Sequence, residues 1–238
     1  METNITKPDI NDIKRLFKNI GIAHLRLLIW FLIFFFITIV PLFILVVIEV
    51  LNGKYYDIGT INDIAIVEGI TYFGLIFSAA MIMLYDYRKH GKYIKYKKDF
   101  LPKYIFAGLI FYGIVTLILS FFPESMMDGY NSQMDNTFSS ATILGIALIA
   151  PVSEELTFRG IINESLGIIN PYYGMVVSSL LFAIMHRHPI QMGYAFLMGM
   201  LCCIINKNKG SIFPSIIMHI SINTLSVILY LTGLEKIL

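Results

Sequence analysis

The chain is poor in charge and almost free of cysteine. Only 14% of its 238 residues are Asp, Glu, Lys or Arg, whereas a soluble domain carries roughly a quarter. That shortage, with 57% hydrophobic residues and a mean hydropathy of +0.73, excludes a soluble globular class and indicates an integral membrane protein. The two cysteines, Cys202 and Cys203, are adjacent inside an apolar run. Sequence neighbours make no disulfide framework, so the redox compartment is not readable from them. They read as small packing residues first and as palmitoylation sites near the cytosolic face second. The formal net charge is only +2, and the basic residues sit beside apolar runs, so no nucleic-acid partner is expected. Internal repeats and low-complexity segments are lacking. The first apolar run is too long for a signal-peptide core and has no small-residue cleavage site after it, which reads as a signal anchor.

What is present is a series of apolar runs. Hydropathy and length predict an all-α polytopic membrane helix bundle with about seven transmembrane helices. They fall near 25–50, 64–85, 103–122, 138–162, 172–187, 189–206 and 211–233. Pro41 is expected to kink the first span, and Trp30 suits a headgroup-level position. Lys7, Lys14, Arg15, Lys18 and Arg26 precede or open the first span. Arg88, Lys89, Lys92, Lys95, Lys97, Lys98 and Lys103 follow the second, and Lys207 and Lys209 follow the sixth. The loop 121–136 has no Lys or Arg but carries Glu124, Asp128 and Asp135. Positive-inside logic places the N-terminus in the cytosol and, with an odd number of spans, the C-terminus outside; Arg187 is the one exception. The lysine run 92–98 reads as a cytosolic anchor first and a contact for acidic lipid second. Residues 1–100 then form a cytosolic segment plus a two-helix membrane hairpin. Residues 101–238 form the domain with the polar spans, its motif-bearing core at about 138–230.

The stretch IAPVSEELTFRG, 149–160, breaks that apolarity. An ionisable group in mid-span costs roughly 2.5–3.5 kcal/mol on insertion scales, so each needs a reason. Glu155 and Arg159 stand at i and i+4 and can pair on one helix face, and alone they read as a structural ion pair. Glu154 lies about 100° round the helix, which leaves it for another task. His186 closes the fifth span, four residues after Phe182. His219 lies in the seventh, with Asn223 one turn later. Polar groups in lipid must satisfy one another, so these spans are expected to bring Glu, His and His with Asn into one cluster. Glutamate with histidine can deprotonate water for attack on a carbonyl. Histidine with an asparagine amide can stabilise the resulting oxyanion. Alternatively Glu154, His186 and His219 could hold one zinc ion with a bound water. Both routes lead to amide hydrolysis. His24 and His188 read as interface and packing residues, and Glu49 and Glu68 as carboxylates near outer span ends where water is available. Gly174, Gly193 and Gly199 read as sites of close helix packing.

The pattern resembles the family of CAAX proteases and bacteriocin-processing or immunity proteins, which includes the type II CAAX prenyl endopeptidases. EELTFR at 154–159 is similar to that family's EExxxR, Phe182–His186 to its FxxxH, and His219–Asn223 to its HxxxN. Phe196 and Gly199 resemble its weaker FxxG element. The resemblance implies an intramembrane protease acting on a membrane-embedded or lipidated peptide or protein. It implies Glu154 as general base assisted by His186, His219 and Asn223 at the oxyanion, and Glu155 with Arg159 ordering the site. Either no cofactor or one zinc ion fits it. The family name suggests a prenylated CAAX tail as substrate, and in the bacterial cell membrane expected here a leader, pheromone or bacteriocin peptide fits equally well. The competing readings are a proton-coupled transporter, which also needs inward carboxylates and histidines, and a non-proteolytic immunity scaffold.

Overall fold

The computed structural model describes residues 10–51, 61–90, 97, 100–140, 143–186 and 188–234. Lys7, Lys92, Lys95, Lys98 and Arg187 lie outside the described residues, as do the side chains of Glu49, Arg88, Lys89 and Asp135. Among the described residues the fold is all α, the solution by which a chain in lipid satisfies its own backbone. In chain order the helices are α1 (Ile10–Phe34), α2 (Val40–Leu51), α3 (Ile61–His90), α4 (Phe100–Leu119) and α5 (Glu124–Ser140). Then follow α6 (Ala150–Glu154), α7 (Glu164–Gly167), α8 (Pro171–Ile184), α9 (Pro189–Lys209) and α10 (Phe213–Thr232). Three π-helical segments, Phe35–Ile39, Gly145–Ile149 and Glu155–Asn163, join α1 to α2, lead into α6 and connect α6 to α7.

Five helical stretches among these are long and apolar enough to cross a membrane: Ile10–Ile48, Ile66–Tyr85, Phe100–Leu119, Pro189–Lys209 and Phe213–Thr232. The other two expected spans take different forms. The fourth is the polar, π-interrupted stretch through α6 and α7. The fifth is α8, whose 14 residues fall short of the ~20 that a crossing needs. The loop expected at 121–136 is instead largely helix α5. Pro123 precedes it, and the Met126 amide closes its first turn on the Pro123 carbonyl at 2.9 Å. Its lack of Lys and Arg disguised a helix too polar to span. Trp30, expected at headgroup level, is half-buried, stacks on Phe34 and packs on the α3 core.

Two of the π-turns share a cause. The Val40 amide donates to the Phe35 carbonyl immediately before Pro41, and the Ala150 amide to the Gly145 carbonyl immediately before Pro151. A proline ring collides with the carbonyl four residues back, and widening the preceding turn by one residue relieves that clash. The carbonyls along the π-helical path are met by neighbouring helices. Asn223 donates to the Ile146 carbonyl at 3.0 Å, Ser178 to that of Phe158 at 2.6 Å, and Arg26 to that of Gly160 at 3.5 Å.

Helix ends follow local chemistry. Asn170 caps α8 by accepting from the Tyr172 and Tyr173 amides at 2.9 and 3.2 Å, with Pro171 in the first turn. Gly210 ends α9 with φ of 60°, a conformation that favours glycine. The 168–170 turn lies at the same end of the bundle as the start of α1 and the end of α9. Asn19 donates to the Ile168 carbonyl at 3.0 Å, and the Lys207 ammonium sits 4.9 Å from the Tyr172 ring centre.

The N-terminal helices pack directly on the motif-bearing part. Ala79, Ile82 and Met83 of α3 form a buried cluster with Ile161 and Ile212. A second cluster joins Phe100, Tyr104, Phe158, Phe182, Met198, Cys202 and Met218. Close approach at glycine sets the spacing of α4 on α10. A Cβ on Gly108 would lie 2.6 Å from the Met218 carbonyl oxygen and would collide with the Ser221 hydroxyl. Gly108→Leu is therefore expected to push α10 away and destabilise the protein by about 1–3 kcal/mol. Gly113→Ala on the same helix, where nothing lies within 4 Å, is expected to be neutral. Thermal melting of the two variants in one detergent checks this.

Candidate functional site

The site begins with the buried pair. Arg159 Nη1 lies 3.0 Å from Glu155 Oε1, and both side chains are almost wholly sealed from solvent. Two sealed charges survive in an apolar bundle only when they neutralise one another. The arginine has a second support: its guanidinium carbon sits 4.2 Å from the centre of the Phe182 ring. Glu155 has a second partner as well. His219 Nδ1 donates to the same Oε1 at 3.0 Å, which turns the other ring nitrogen, Nε2, toward Glu154 Oε2 at 3.6 Å. The side chain of Glu154 is 29% exposed, whereas that of Glu155 is 0% exposed. One carboxylate of the adjacent pair is thus internal and compensated. The other is open and faces a histidine.

His186 stands at the end of α8 with Nδ1 donating to the Phe182 carbonyl at 2.8 Å. A carbonyl only accepts, so Nδ1 carries the proton and Nε2 of the neutral ring is the basic nitrogen. His186 lies within electrostatic reach of Glu154, His219 and Arg159. Asn223 is anchored by its bond to Ile146 one turn beyond His219, and an amide has two N–H groups to offer. Glu154, Glu155, Arg159, His186 and His219 therefore meet in one cluster, with Asn223 beside it on the path into α6. Phe196 is half-buried against the core. Gly199 is where α9 touches α8: a Cβ there would lie 2.9 Å from the Ser179 Cβ.

Phe182 is the residue whose role spacing alone left unread. Its ring contacts His186 (4.6 Å between centres), His219 (5.7 Å) and Phe158 (5.3 Å), all edge to face, besides the Arg159 guanidinium. It is an apolar post on which both histidines and the arginine are hung. Asn206 and Ser215, also unread, tie the end of α9 to the start of α10 through bonds of 2.7 and 3.3 Å and so set the height of His219. A small polar residue inside an apolar run was the available signal for Ser178 and Ser215. His188, read as a packing residue, is half-buried with its ring 5.6 Å from that of Tyr130 on α5.

Zinc requires about three protein donors converging on one point at roughly 2.0–2.2 Å. Both histidines hold their Nδ1 protons on oxygen acceptors, as metal-binding histidines do. Among the described residues, however, no three of His, Cys, Asp and Glu converge closely enough to hold an ion.

The fold and site define an integral membrane helix bundle that keeps a carboxylate–histidine cluster among its helices. Residues 136–225 match the family model described as Type II CAAX prenyl endopeptidase Rce1-like, so the resemblance carried by the three motifs holds over that segment. The match covers all three motifs and leaves residues 1–135 outside it. No curated protein matches the chain, and no solved structure does.

Proposed function

We propose that this protein is an intramembrane endopeptidase that hydrolyses a peptide bond of a membrane-associated peptide or protein. The observation that carries the reading is the division of labour between adjacent carboxylates: Glu155 is sealed and neutralised, while Glu154 is open and faces His219. In this mechanism Glu154, with the basic Nε2 of His186, takes a proton from water as the water attacks the scissile carbonyl. His219, through Nε2, and the second amide N–H of Asn223 stabilise the oxyanion that develops. The proton held on Glu154 then passes to the leaving amine. Glu155 and Arg159 fix the angle of the His219 ring. Exclusion of bulk water by the surrounding helices strengthens each of these interactions. The grouping of Lys14, Arg15 and Lys18 with Lys207 and Lys209 at one end of the bundle supports a cytosolic N-terminus, in a bacterial cell membrane on our reading.

The test is cleavage of a panel of lipidated and unlipidated peptides by the purified protein in lipid vesicles, with products identified by mass. Cleavage at one internal bond, undiminished by a strong chelator in a metal-free preparation, is the expected result. Loss of activity to the chelator, restored by zinc, would overturn the metal-free mechanism. Proton-coupled uptake without any cleavage would replace the protease by a transporter.

A further inference from the structure

Helix α3 lies outside the segment matched to the family, yet it packs along α6 and the π-helical stretch that follows. Its contact face can be read in two independent ways. Spacings of seven and eleven residues fall within about 20° of whole helical turns, so Tyr72, Ala79 and Met83 share one face, with Glu68 one turn before Tyr72. The contacts agree. Ala79 and Met83 are buried in the cluster with Ile161, and a Cβ on Gly160 would lie 2.8 Å from the Met83 sulfur. Followed back along the same face, the helix brings Tyr72 into electrostatic reach of both Glu68 and Glu154. Tyr72 and Glu68 are half-buried, and Glu154 is the open carboxylate of the site. Of the described arginines near this face, Arg159 pairs with Glu155 and Arg26 donates to the Gly160 carbonyl. On the side facing Glu154, α3 thus carries a phenol hydroxyl and, one turn before it on the same face, a carboxylate.

We infer that α3 builds the substrate-facing wall of the site, with Tyr72 positioning the bound peptide opposite Glu154 and Glu68 selecting peptides that carry a cation beside the cut bond. This rests on the proteolytic reading. The hydroxyl of Tyr72 can donate to a backbone carbonyl of an extended peptide or accept from its amide. The carboxylate of Glu68, in a site partly shielded from water, attracts a lysine or arginine side chain and repels a glutamate.

The experiment uses three peptides that differ only in the residue beside the cut bond, Lys, Gln or Glu, with the full chain in lipid nanodiscs. The parent is expected to favour Lys over Glu by about tenfold in kcat/KM, and Glu68→Gln to bring that ratio close to unity. Tyr72→Phe is expected to raise KM several-fold for all three peptides with unchanged melting. A parent-like charge ratio in Glu68→Gln, or a parent-like KM in Tyr72→Phe, overturns the inference. Fluorescence anisotropy of the same peptides on Glu154→Gln, with and without Glu68→Gln, reads binding apart from turnover. Charge preference in binding without any cleavage by the parent would sink the protease and leave the wall standing. Cleavage by the parent with no charge preference would do the reverse.

Discussion

Glu154→Gln is expected to lower kcat/KM by about 10²–10⁴-fold and to leave the melting temperature almost unchanged. Glutamine keeps the shape of the side chain and an oxygen facing His219 Nε2, but it cannot take a proton from water. The stability half of the prediction follows from position. Glu154 is 29% exposed and stands 3.6 Å from its histidine, longer than a direct hydrogen bond. Substitution of such a group away from the sealed core typically moves stability by no more than about 0.5 kcal/mol. Cleavage and thermal melting measured on one preparation separate the roles. A variant that melts like the parent and cuts like the parent removes Glu154 from the chemistry. A variant that melts far below the parent makes Glu154 structural.

Much of this site can be traced to spacing in the sequence, and the remainder depends on neighbours that spacing does not name. Glu155 and Arg159 at i and i+4 are paired at 3.0 Å, as that separation allows on a helix. The difference lies in what the pair serves. Nothing in EELTFR says that the histidine of a distant span donates to Glu155 while its other nitrogen faces Glu154. The π-helical path was foreshadowed only by Pro151. Its full extent depends on whether Asn223, Ser178 and Arg26 arrive to meet carbonyls along it, which is tertiary information. Helix α5 was hidden by its polarity, and the short α8 by an apolar run that continues past the helix end at Ile184. Tyr72 sits in an otherwise ordinary apolar run, and only the packing of α3 distinguishes it from any other lipid-facing aromatic.

Arg159→Leu carries the other large effect, and it falls on stability. The substitution leaves Glu155, 0% exposed, without its cation, although His219 still donates to it. Breaking a buried pair from one side costs about 3–5 kcal/mol, because the surviving charge stays desolvated. For a chain of this size that corresponds to a melting temperature lower by roughly 6–20 °C. Removing both partners is the informative control. In Glu155→Leu/Arg159→Met no charge is stranded, and the Nε and Nη2 atoms of Arg159, which lack hydrogen-bond partners among the described residues, go with it. The double variant is therefore expected to melt closer to the parent than Arg159→Leu does, a coupling that independent sites would not give. It is nonetheless expected to cut poorly, because the His219 ring loses the carboxylate that fixes its angle. A double variant that recovers stability without recovering cleavage assigns the pair to orientation of His219. Full recovery of both would reduce Glu155 and Arg159 to packing. A double variant no more stable than the single one would place the cost in lost contact with Phe182, where the guanidinium now lies 4.2 Å from the ring centre.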